Sequence, residues 1–334
     1  MKSLVGKVVF GVAVGVAVYV GFTIWADAGR VGAALRTFSW GMALLACALA
    51  AGNYLVRFGR WQYYLRVLGL RVAPRDSLLV FLAGFSLTVT PGKLGEAVKA
   101  FLLRASHGYP VARTAPIVIA ERVTDLLALL LLALVGVFHF DVDRRFLIVG
   151  AAAVLGGVLV VSIDPLAEAA LAIAERLPGL RKLAPKLREM HASTAALLHP
   201  KPLLLATALS TFSWFLECLA FWVVVGGFDG AFLDLRAATF IYAAMTVAGA
   251  LSFLPGGLGV TEAGMLALLV RFGTGIDRGE AAAATFVTRA ATLWFAVALG
   301  LPALIAYARR KHVAVDDVAR AAGAQARSGD AGAV

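Results

Sequence analysis

Cysteine, histidine and charged residues are all scarce in this 334-residue sequence; charged residues make up only 15% of it. Cys47 and Cys218 both lie in apolar runs, so neither a disulfide framework nor a zinc site is predicted. The five histidines are scattered among loops and the tail, and no HExxH, Walker A or paired-aspartate phosphate motif is present. We therefore expect no metal, no cofactor, no ATP-driven step and no enzyme.

What the chain has in abundance is apolar sequence: 61% of its residues are hydrophobic and the mean hydropathy is +0.86. This composition predicts an all-α integral membrane protein. Runs long enough to cross about 30 Å of hydrocarbon predict about six full transmembrane helices. They lie near Leu4 to Trp25, Ser39 to Val56, Thr114 to Phe138, Phe146 to Ile163, Pro202 to Val225 and Ala281 to Tyr307.

Two further apolar regions, 78–103 and 237–272, are interrupted by proline and glycine. Proline removes a backbone donor and glycine weakens a helix, so each region divides into two pieces too short to span. Exposed peptide groups at membrane depth survive only where they line a protein cavity. We interpret each region as a re-entrant helical hairpin. The predicted breaks are Pro91, Gly92 and Gly95 in the first hairpin and Pro255, Gly256, Gly257 and Gly259 in the second.

The net charge of +11 is distributed as in a membrane protein, so no nucleic-acid partner is expected. Five arginines between Arg57 and Arg75 crowd what we predict to be one cytoplasmic loop, and basic residues also flank both termini, which predicts both termini inside. Arg57 and Arg60 among aromatic residues are typical of an interfacial belt, and a vestibule for lipid headgroups is the alternative.

Three spacings recur between the two halves of the chain. Asn53 precedes Pro91 by 38 residues, as Glu217 precedes Pro255. Arg122 follows Glu96 by 26 residues and Arg289 follows Glu262 by 27. Asp125 and Thr292 each follow their arginine by three residues. These offsets predict an internal repeat, and because an odd number of crossings separates corresponding points, the second unit is inverted.

The predicted organisation is one transmembrane domain, 1–311, followed by a flexible cytoplasmic tail, 312–334. Within the domain, repeat 1 covers 39–138 and repeat 2 covers 202–308. The connection, 139–201, holds one span and a cytoplasmic helix. Leucines at helical spacing between 180 and 197 fit a helix at the membrane interface or one packed on the protein.

Charged residues beside the breaks are the candidate site. A helix that begins after Gly95 or Gly259 directs unpaired N–H groups into the membrane interior, which favours an anion. Glu96 and Glu262 either cap these helices or carry a proton, and Lys93 either pairs with Glu96 or faces a phosphate. The predicted binding and transport residues are Lys93, Glu96, Glu121, Arg122, Asp125, Glu262 and Arg289, with Asn53, Arg57, Arg60 and Glu217 as secondary candidates.

The two arginines admit two interpretations. Arg122 either neutralises Asp125, Glu121 or Glu96 in a structural network or holds a phosphate in two bonds. Arg289 is its counterpart, and we expect Glu262 and Glu217 to be its partners.

Four motifs in order carry a family resemblance: TPGKLGEAVKAFLL from Thr90, ERVTDLLAL from Glu121, LPGGLGVTEAGMLALL from Leu254 and RAATLW from Arg289. Together they resemble the lysylphosphatidylglycerol synthase transmembrane, or flippase-like, family across nearly the whole membrane region. In this family the best-understood members join such a module to a cytosolic synthase domain and move aminoacylated phosphatidylglycerol between leaflets. This sequence ends soon after its last predicted span, so the resemblance implies a stand-alone member that handles lipid, with no lysyl transfer.

The preferred function is therefore a lipid transporter that moves a phospholipid or a polyisoprenoid-phosphate lipid between leaflets of a bacterial-type cytoplasmic (inner) membrane. The alternative is a non-transporting scaffold or accessory subunit of a lipid- or glycan-modifying enzyme. The expected partners are anionic membrane lipids, and a homo-oligomer or an enzyme partner stays open.

Overall fold

The structure is a computed structural model that describes residues 27–89, 95–137, 184–252 and 254–311, together with positions 15, 17, 20, 21 and 24. Within these residues all regular structure is helical, apart from one isolated β-bridge between Phe232 and Thr274. The prediction of an all-helical fold is confirmed. The predicted span at 146–163 and the predicted tail at 312–334 lie outside the described residues.

The first half of the fold contains two long helices and a broken segment between them. Its elements are α1 (Ala28–Thr37), α2 (Trp40–Val67), α3 (Pro74–Ala83) with a 3₁₀ turn (Gly84–Leu87), α4 (Gly95–His107) and α5 (Val111–Val137).

The second half repeats this order of elements. Its elements are α6 (Ala184–Leu198), α7 (Pro200–Val225), α8 (Leu235–Leu251), a 3₁₀ turn (Pro255–Gly257), α9 (Val260–Phe272), α10 (Arg278–Arg289), a π-helical turn (Ala290–Trp294) and α11 (Phe295–Lys311).

Three helices in the described part of the chain are long and apolar enough to cross a membrane: α2, α7 and the continuous helix from Arg278 to Lys311. Helix α2 extends eleven residues beyond the predicted end of its span at Val56. The prediction that five arginines share one cytoplasmic loop is therefore wrong for Arg57, Arg60 and Arg66, which lie in α2, and for Arg75, which lies in α3.

Both proline–glycine regions contain short helices, and the second is broken as predicted; residues 90–94 of the first lie outside the described residues. Helix α4 begins at Gly95, and α9 begins at Val260 directly after Gly259. The second break is possible because Gly256, Gly257 and Gly259 have φ values of 61°, 69° and 91°, which side chains other than glycine rarely adopt. With 13 residues each, α4 and α9 are about 20 Å long, less than the hydrocarbon thickness.

The two halves pack against each other reciprocally. Helix α2 packs along α7, α5 packs on α8, and α11 packs on α3. Gly300 allows the last contact, because a Cβ atom there would collide with the backbone of Phe85 and Ser86. Val89, which directly precedes the undescribed residues of the first break, forms a small buried cluster with Leu258, Leu293 and Val297. The centre of the molecule thus combines residues from both halves.

The described part of the connection contains α6, which packs chiefly on α5 and also contacts α7. Leu197 and Leu198 at its end are buried, whereas Pro185 and Lys186 near its start are exposed. The end of this helix is therefore packed on the protein. The predicted helical spacing from Leu180 to Leu183 lies outside the described residues.

An ion-pair cluster ties the start of α3 to the end of α11. Asp76 lies 2.7 Å from the Lys311 Nζ atom and 3.1 Å from the Arg310 Nε atom. The hydrogen bond from Lys311 lowers the pKa of Asp76, and the charges of Lys311 and Arg310 lower it further against the opposing effect of burial. This contact closes the α3–α11 interface at its end.

Candidate functional site

A cavity of about 140 Å³ lies where the two halves meet. Side chains of α2, α3, α4, α5, α7, α8, α9, α10 and α11 line it, together with both 3₁₀ turns and the π-helical turn after Arg289. Single π-helical turns within α-helices are frequently found at functional sites. Four cationic side chains reach this cavity: Arg57, Lys99, Arg122 and Arg289. The Gly256 and Gly257 backbone lines it too, as predicted for a helix break that faces a protein cavity.

Asp125 is the centre of the first group of charges. Its carboxylate is 2.6 Å from Arg60 Nη1, 3.1 Å from Arg122 Nη2 and 3.5 Å from Arg57 Nη2. Ser210 of α7 donates a further hydrogen bond of 3.3 Å to the same carboxylate. Arg122 therefore neutralises Asp125, one of the partners that the sequence suggested, while its guanidinium still lines the cavity.

Arg60 does not belong to an interfacial belt, which was the favoured sequence interpretation for it. It is 1% exposed and donates hydrogen bonds to Asp125, Thr124 and Ser210. The residue lies on the inner face of α2 because the helix does not stop at Val56. A basic residue near the end of an apolar run usually indicates the cytoplasmic end of a span. Arg60 is buried because the helix continues beyond that run.

Lys99 and Glu121 form the second charged pair. The ammonium of Lys99 lies 4.8 Å from the Trp61 ring centroid and its residue is only 4% exposed. Glu121 lies ten residues into α5, about 15 Å from the helix start. Lys99 was not among the predicted site residues, and its position in the apolar stretch after Gly95 was the available signal.

Arg289 and Glu262 form the corresponding pair in the second half. Arg289 Nε lies 2.7 Å from Glu262 Oε1, and Arg289 Nη2 donates a hydrogen bond of 2.7 Å to the Gly256 carbonyl. The other oxygen of Glu262 accepts a hydrogen bond of 2.7 Å from the Gly259 N–H and so caps α9. Glu262 thus combines the capping role with the ion pair predicted for Arg289.

Glu217 does not pair with Arg289, so this predicted contact is wrong. Its carboxylate accepts a hydrogen bond of 2.5 Å from the Tyr242 hydroxyl, and the residue is 5% exposed. Both side chains line the cavity. Asn53, the counterpart of Glu217 in the spacing pattern, is fully buried and donates a hydrogen bond of 2.7 Å to the Ser213 carbonyl. Asn53 therefore supports the α2–α7 contact and is not among the residues that line the cavity.

Trp214 is a lining residue that sequence reasoning missed. Its ring lies 5.6 Å from the Arg57 guanidinium carbon, within range of a cation–π contact. Among the described residues its indole Nε1 has no hydrogen-bond partner although the atom is buried. A tryptophan in an apolar run is normally interpreted as a residue that packs against other helices. The sequence therefore gave no indication that the N–H group of Trp214 belongs to a site.

The structure leaves part of the predicted site undescribed. Pro91, Gly92, Lys93 and the side chain of Glu96 lie outside the described residues. Of the other primary candidates, Arg122 of α5 and Arg289 of α10 line the same cavity, Asp125 and Glu262 are their ion-pair partners, and Glu121 pairs with the lining residue Lys99.

The charges of this region do not balance among the described residues. Asp125, Glu121 and Glu262 are each held by at least one cation. Five cations surround these three acids and Glu217, which leaves an excess of one positive charge among the described residues when Glu217 is ionised and of two when it is neutral; the cations are Arg57, Arg60, Lys99, Arg122 and Arg289. The positive excess favours a ligand that carries negative charge.

An all-helical fold with long apolar helices, broken helices between them and a buried charged cavity defines a multi-pass membrane protein. The chain matches the family described as the lysylphosphatidylglycerol synthase TM region over residues 12–300, and it belongs to this family. The family assignment made from the four motifs is thereby confirmed.

Two relatives from Methanothermobacter thermautotrophicus are each described as a UPF0104 membrane protein. One is 24% identical over 274 residues, which are 73% of this chain and 79% of the relative. The other is 27% identical over 299 residues, or 83% of this chain and 86% of the relative. The similarity extends over most of both lengths, so this chain resembles proteins of the same extent.

Proposed function

We propose that this protein moves an anionic lipid, either a phospholipid or a polyisoprenoid phosphate, between the two leaflets of the cytoplasmic (inner) membrane. One observation carries the proposal: Arg57, Lys99, Arg122 and Arg289 line a single cavity inside a bundle of apolar helices. Charged groups at membrane depth are costly and mark substrate pathways. The proposal is for a non-enzymatic function.

The size of the cavity suits a lipid headgroup. Pockets that enclose a whole drug-sized ligand measure about 300–1,000 Å³. A volume of about 140 Å³ accommodates a phosphate with a few neighbouring atoms. The acyl or isoprenoid chains would then stay in the surrounding lipid while the headgroup crosses through protein. Arginine suits the headgroup because its planar fork binds phosphate in two bonds.

The route across the membrane follows from an inverted repeat. In this proposal the first hairpin, 78–103, enters from the cytoplasm and the second, 237–272, enters from outside, with both termini inside. The reciprocal contacts support it, since the last long helix of each half packs on the first piece of the other half's broken segment. The buried contact of Val89 with Leu258 supports a meeting of the two breaks near the middle.

Transport then requires the arginines to exchange partners. Asp125 holds Arg122, and Glu262 holds Arg289. We propose that an entering phosphate replaces these carboxylates one after the other, so that the headgroup passes from Arg122 to Arg289. Glu262 also caps α9, which assigns it to holding Arg289 rather than to carrying a proton. The role predicted for Lys93 and Glu96 at the cytoplasmic break remains part of the proposal.

The test is lipid movement in proteoliposomes. Wild-type protein is expected to move labelled anionic phospholipid between leaflets, and Arg122→Gln and Arg289→Gln are expected to abolish this movement. Arg236→Gln, at an exposed residue outside the cavity, is the matched control and should transport normally. Wild-type protein that moves no lipid from a broad panel would contradict the proposal. If that protein copurified with a lipid- or glycan-modifying enzyme, the scaffold alternative would take its place.

A further inference from the structure

One carboxyl group of the cavity differs from the other acids of the charged region. Asp125, Glu121 and Glu262 each form an ion pair within the described part of the fold, whereas Glu217 forms none there. Its carboxylate instead accepts a hydrogen bond of 2.5 Å from the Tyr242 hydroxyl, a neutral donor. Glu217 nevertheless lines the cavity and is 5% exposed. A buried carboxylate without an ion-pair partner is costly, so its neutral form is accessible.

The groups that interact with Glu217 come from five of the helices around the cavity, and both signs of charge are represented. They are Tyr54 and Arg57 of α2, Asp125 of α5, Cys218 of its own helix, Tyr242 of α8 and Arg289 of α10. The two arginines favour the ionised carboxylate, while burial and the charge of Asp125 disfavour it. Because these effects oppose each other, a change of charge inside the cavity is able to decide the protonation state of Glu217.

An anionic headgroup makes such a change. Before Glu217 is counted, five cations face three acids in the described part of this region, which leaves two positive charges in excess. A phosphodiester brings one negative charge to Arg57, Arg122 and Arg289, the same arginines that line the cavity with Glu217. An ionised Glu217 would compete for those arginines and repel the phosphate, whereas the protonated carboxyl does neither.

We propose that Glu217 takes up one proton when an anionic lipid headgroup enters the cavity and returns it when the headgroup leaves. This inference rests on the proposed function and adds its coupling: one proton accompanies each headgroup. The proton comes from water at the entry side, binds a carboxylate oxygen of Glu217 and returns to water at the exit side. By linkage, a ligand that favours the protonated carboxyl is itself bound more tightly when that carboxyl is protonated. Affinity for the lipid should therefore rise as the pH falls.

Glu217→Gln separates this role from a structural one. The amide oxygen of glutamine accepts the hydrogen bond from Tyr242 as the carboxylate does, so the α7–α8 contact is preserved. Glutamine cannot take up a proton in this range of pH. If Glu217 only joins the two helices, the variant should behave as wild type at every pH. If Glu217 is the proton site, the variant should resemble wild type at low pH and lose the pH dependence.

The experiment measures binding of short-chain phosphatidylglycerol to the purified full-length protein over a series of pH values. Its phosphodiester keeps a single charge throughout, so the ligand does not titrate. For wild type the dissociation constant should rise with pH by up to about tenfold per pH unit where Glu217 ionises. For Glu217→Gln it should stay constant. In weak buffer, wild type should take up close to one proton per bound lipid and the variant none.

The outcomes separate the two proposals. Wild-type binding that is independent of pH, or equal pH dependence in the variant, would overturn the role of Glu217 and leave lipid transport standing. Absence of binding and of lipid movement at every pH would overturn the proposed function itself. Should Glu217→Gln fail to fold, proton uptake by wild type decides alone, because binding without uptake contradicts the inference. Tyr242→Phe adds a second test: it removes the hydrogen bond but keeps the carboxyl, so the pH midpoint should shift while the uptake of one proton persists.

Discussion

Glu262 is joined to Arg289 by a contact of 2.7 Å, while its second oxygen caps the helix that follows the break at Gly259. Arg289 in turn donates to the carbonyl of Gly256 on the other side of that break. The two side chains therefore hold both ends of the interrupted backbone. If the proposed ligand drew Arg289 away from these partners, the break would loosen, and binding would be coupled to the conformation of this segment.

Replacing Arg289 with glutamine should destabilise the protein as well as abolish transport. Arg289 and Glu262 are both buried, with side chains 9% and 1% exposed. Removing one partner leaves an uncompensated buried charge, at a cost of about 3–5 kcal/mol. Thermal unfolding of the purified protein measures this. The double variant Arg289→Gln/Glu262→Gln should recover part of the loss, since the charge of Glu262 is removed together with that of Arg289. Additive effects of the two substitutions would show that the pair is not coupled.

Trp214→Phe should weaken lipid binding without unfolding the protein. Phenylalanine keeps an aromatic ring beside Arg57 but removes the buried Nε1 donor, which has no partner among the described residues. A hydrogen bond to a charged group contributes about 1.5–3 kcal/mol, so affinity should fall by about tenfold or more. Binding of short-chain phosphatidylglycerol is the measurement. Trp40→Phe, at a residue 58% exposed, is the control; an equal loss there would refute a specific role for Trp214.

Gly300→Ala should disrupt the packing of α11 on α3. A Cβ atom at this position would collide with the backbone atoms of Ser86 and Phe85, which cannot move aside as a flexible side chain does. Overpacking of this kind costs about 1–3 kcal/mol, seen as a lower melting temperature. Gly41→Ala is matched to it, because a Cβ there meets no atom within 4 Å. That control should be neutral or slightly stabilising. Equal melting temperatures for both variants would contradict the contact.

The link between α3 and α11 should weaken in acid. Because Lys311 and Arg310 lower the pKa of Asp76 in the folded protein, its contribution to stability is complete above the unfolded pKa of about 4. That contribution is lost as the pH falls below this value and through the lowered pKa. Asp76→Asn should therefore lower the melting temperature at neutral pH, and the difference from wild type should vanish in acid. Asp229→Asn, at an exposed residue, should show no such convergence. A difference that persists in acid would exclude the ion pairs as its cause.

Several features of the site could be predicted from the sequence. Spacing aligned Arg122 with Arg289, and both line the cavity. The position of Glu262 three residues after Gly259 predicted a helix cap, which the structure contains. These predictions succeeded because a cap and a helix break depend on neighbouring residues, whose geometry the local sequence dictates.

Other assignments failed because they depended on which helix face meets another helix. Arg60 was assigned to the membrane surface although it binds Asp125, and Glu217 was assigned to Arg289 although it binds Tyr242. Lys99 was not among the predicted site residues although it pairs with Glu121. Each partner is more than twenty residues away in the chain, so no local pattern could select it.

Hydropathy, the glycine and proline breaks and the charges beside them already specify a membrane protein with interrupted helices, since lipid tolerates unpaired backbone groups only inside protein. The contacts of α5 with α8 and of α3 with α11 depend instead on the tertiary structure. They bring Arg57, Arg122, Glu217 and Arg289 to one cavity from four separate helices. The distances between those helices decide which acid neutralises which cation and which carboxyl is left to bind a proton. The reason is that electrostatic energy depends on separation in space rather than along the chain.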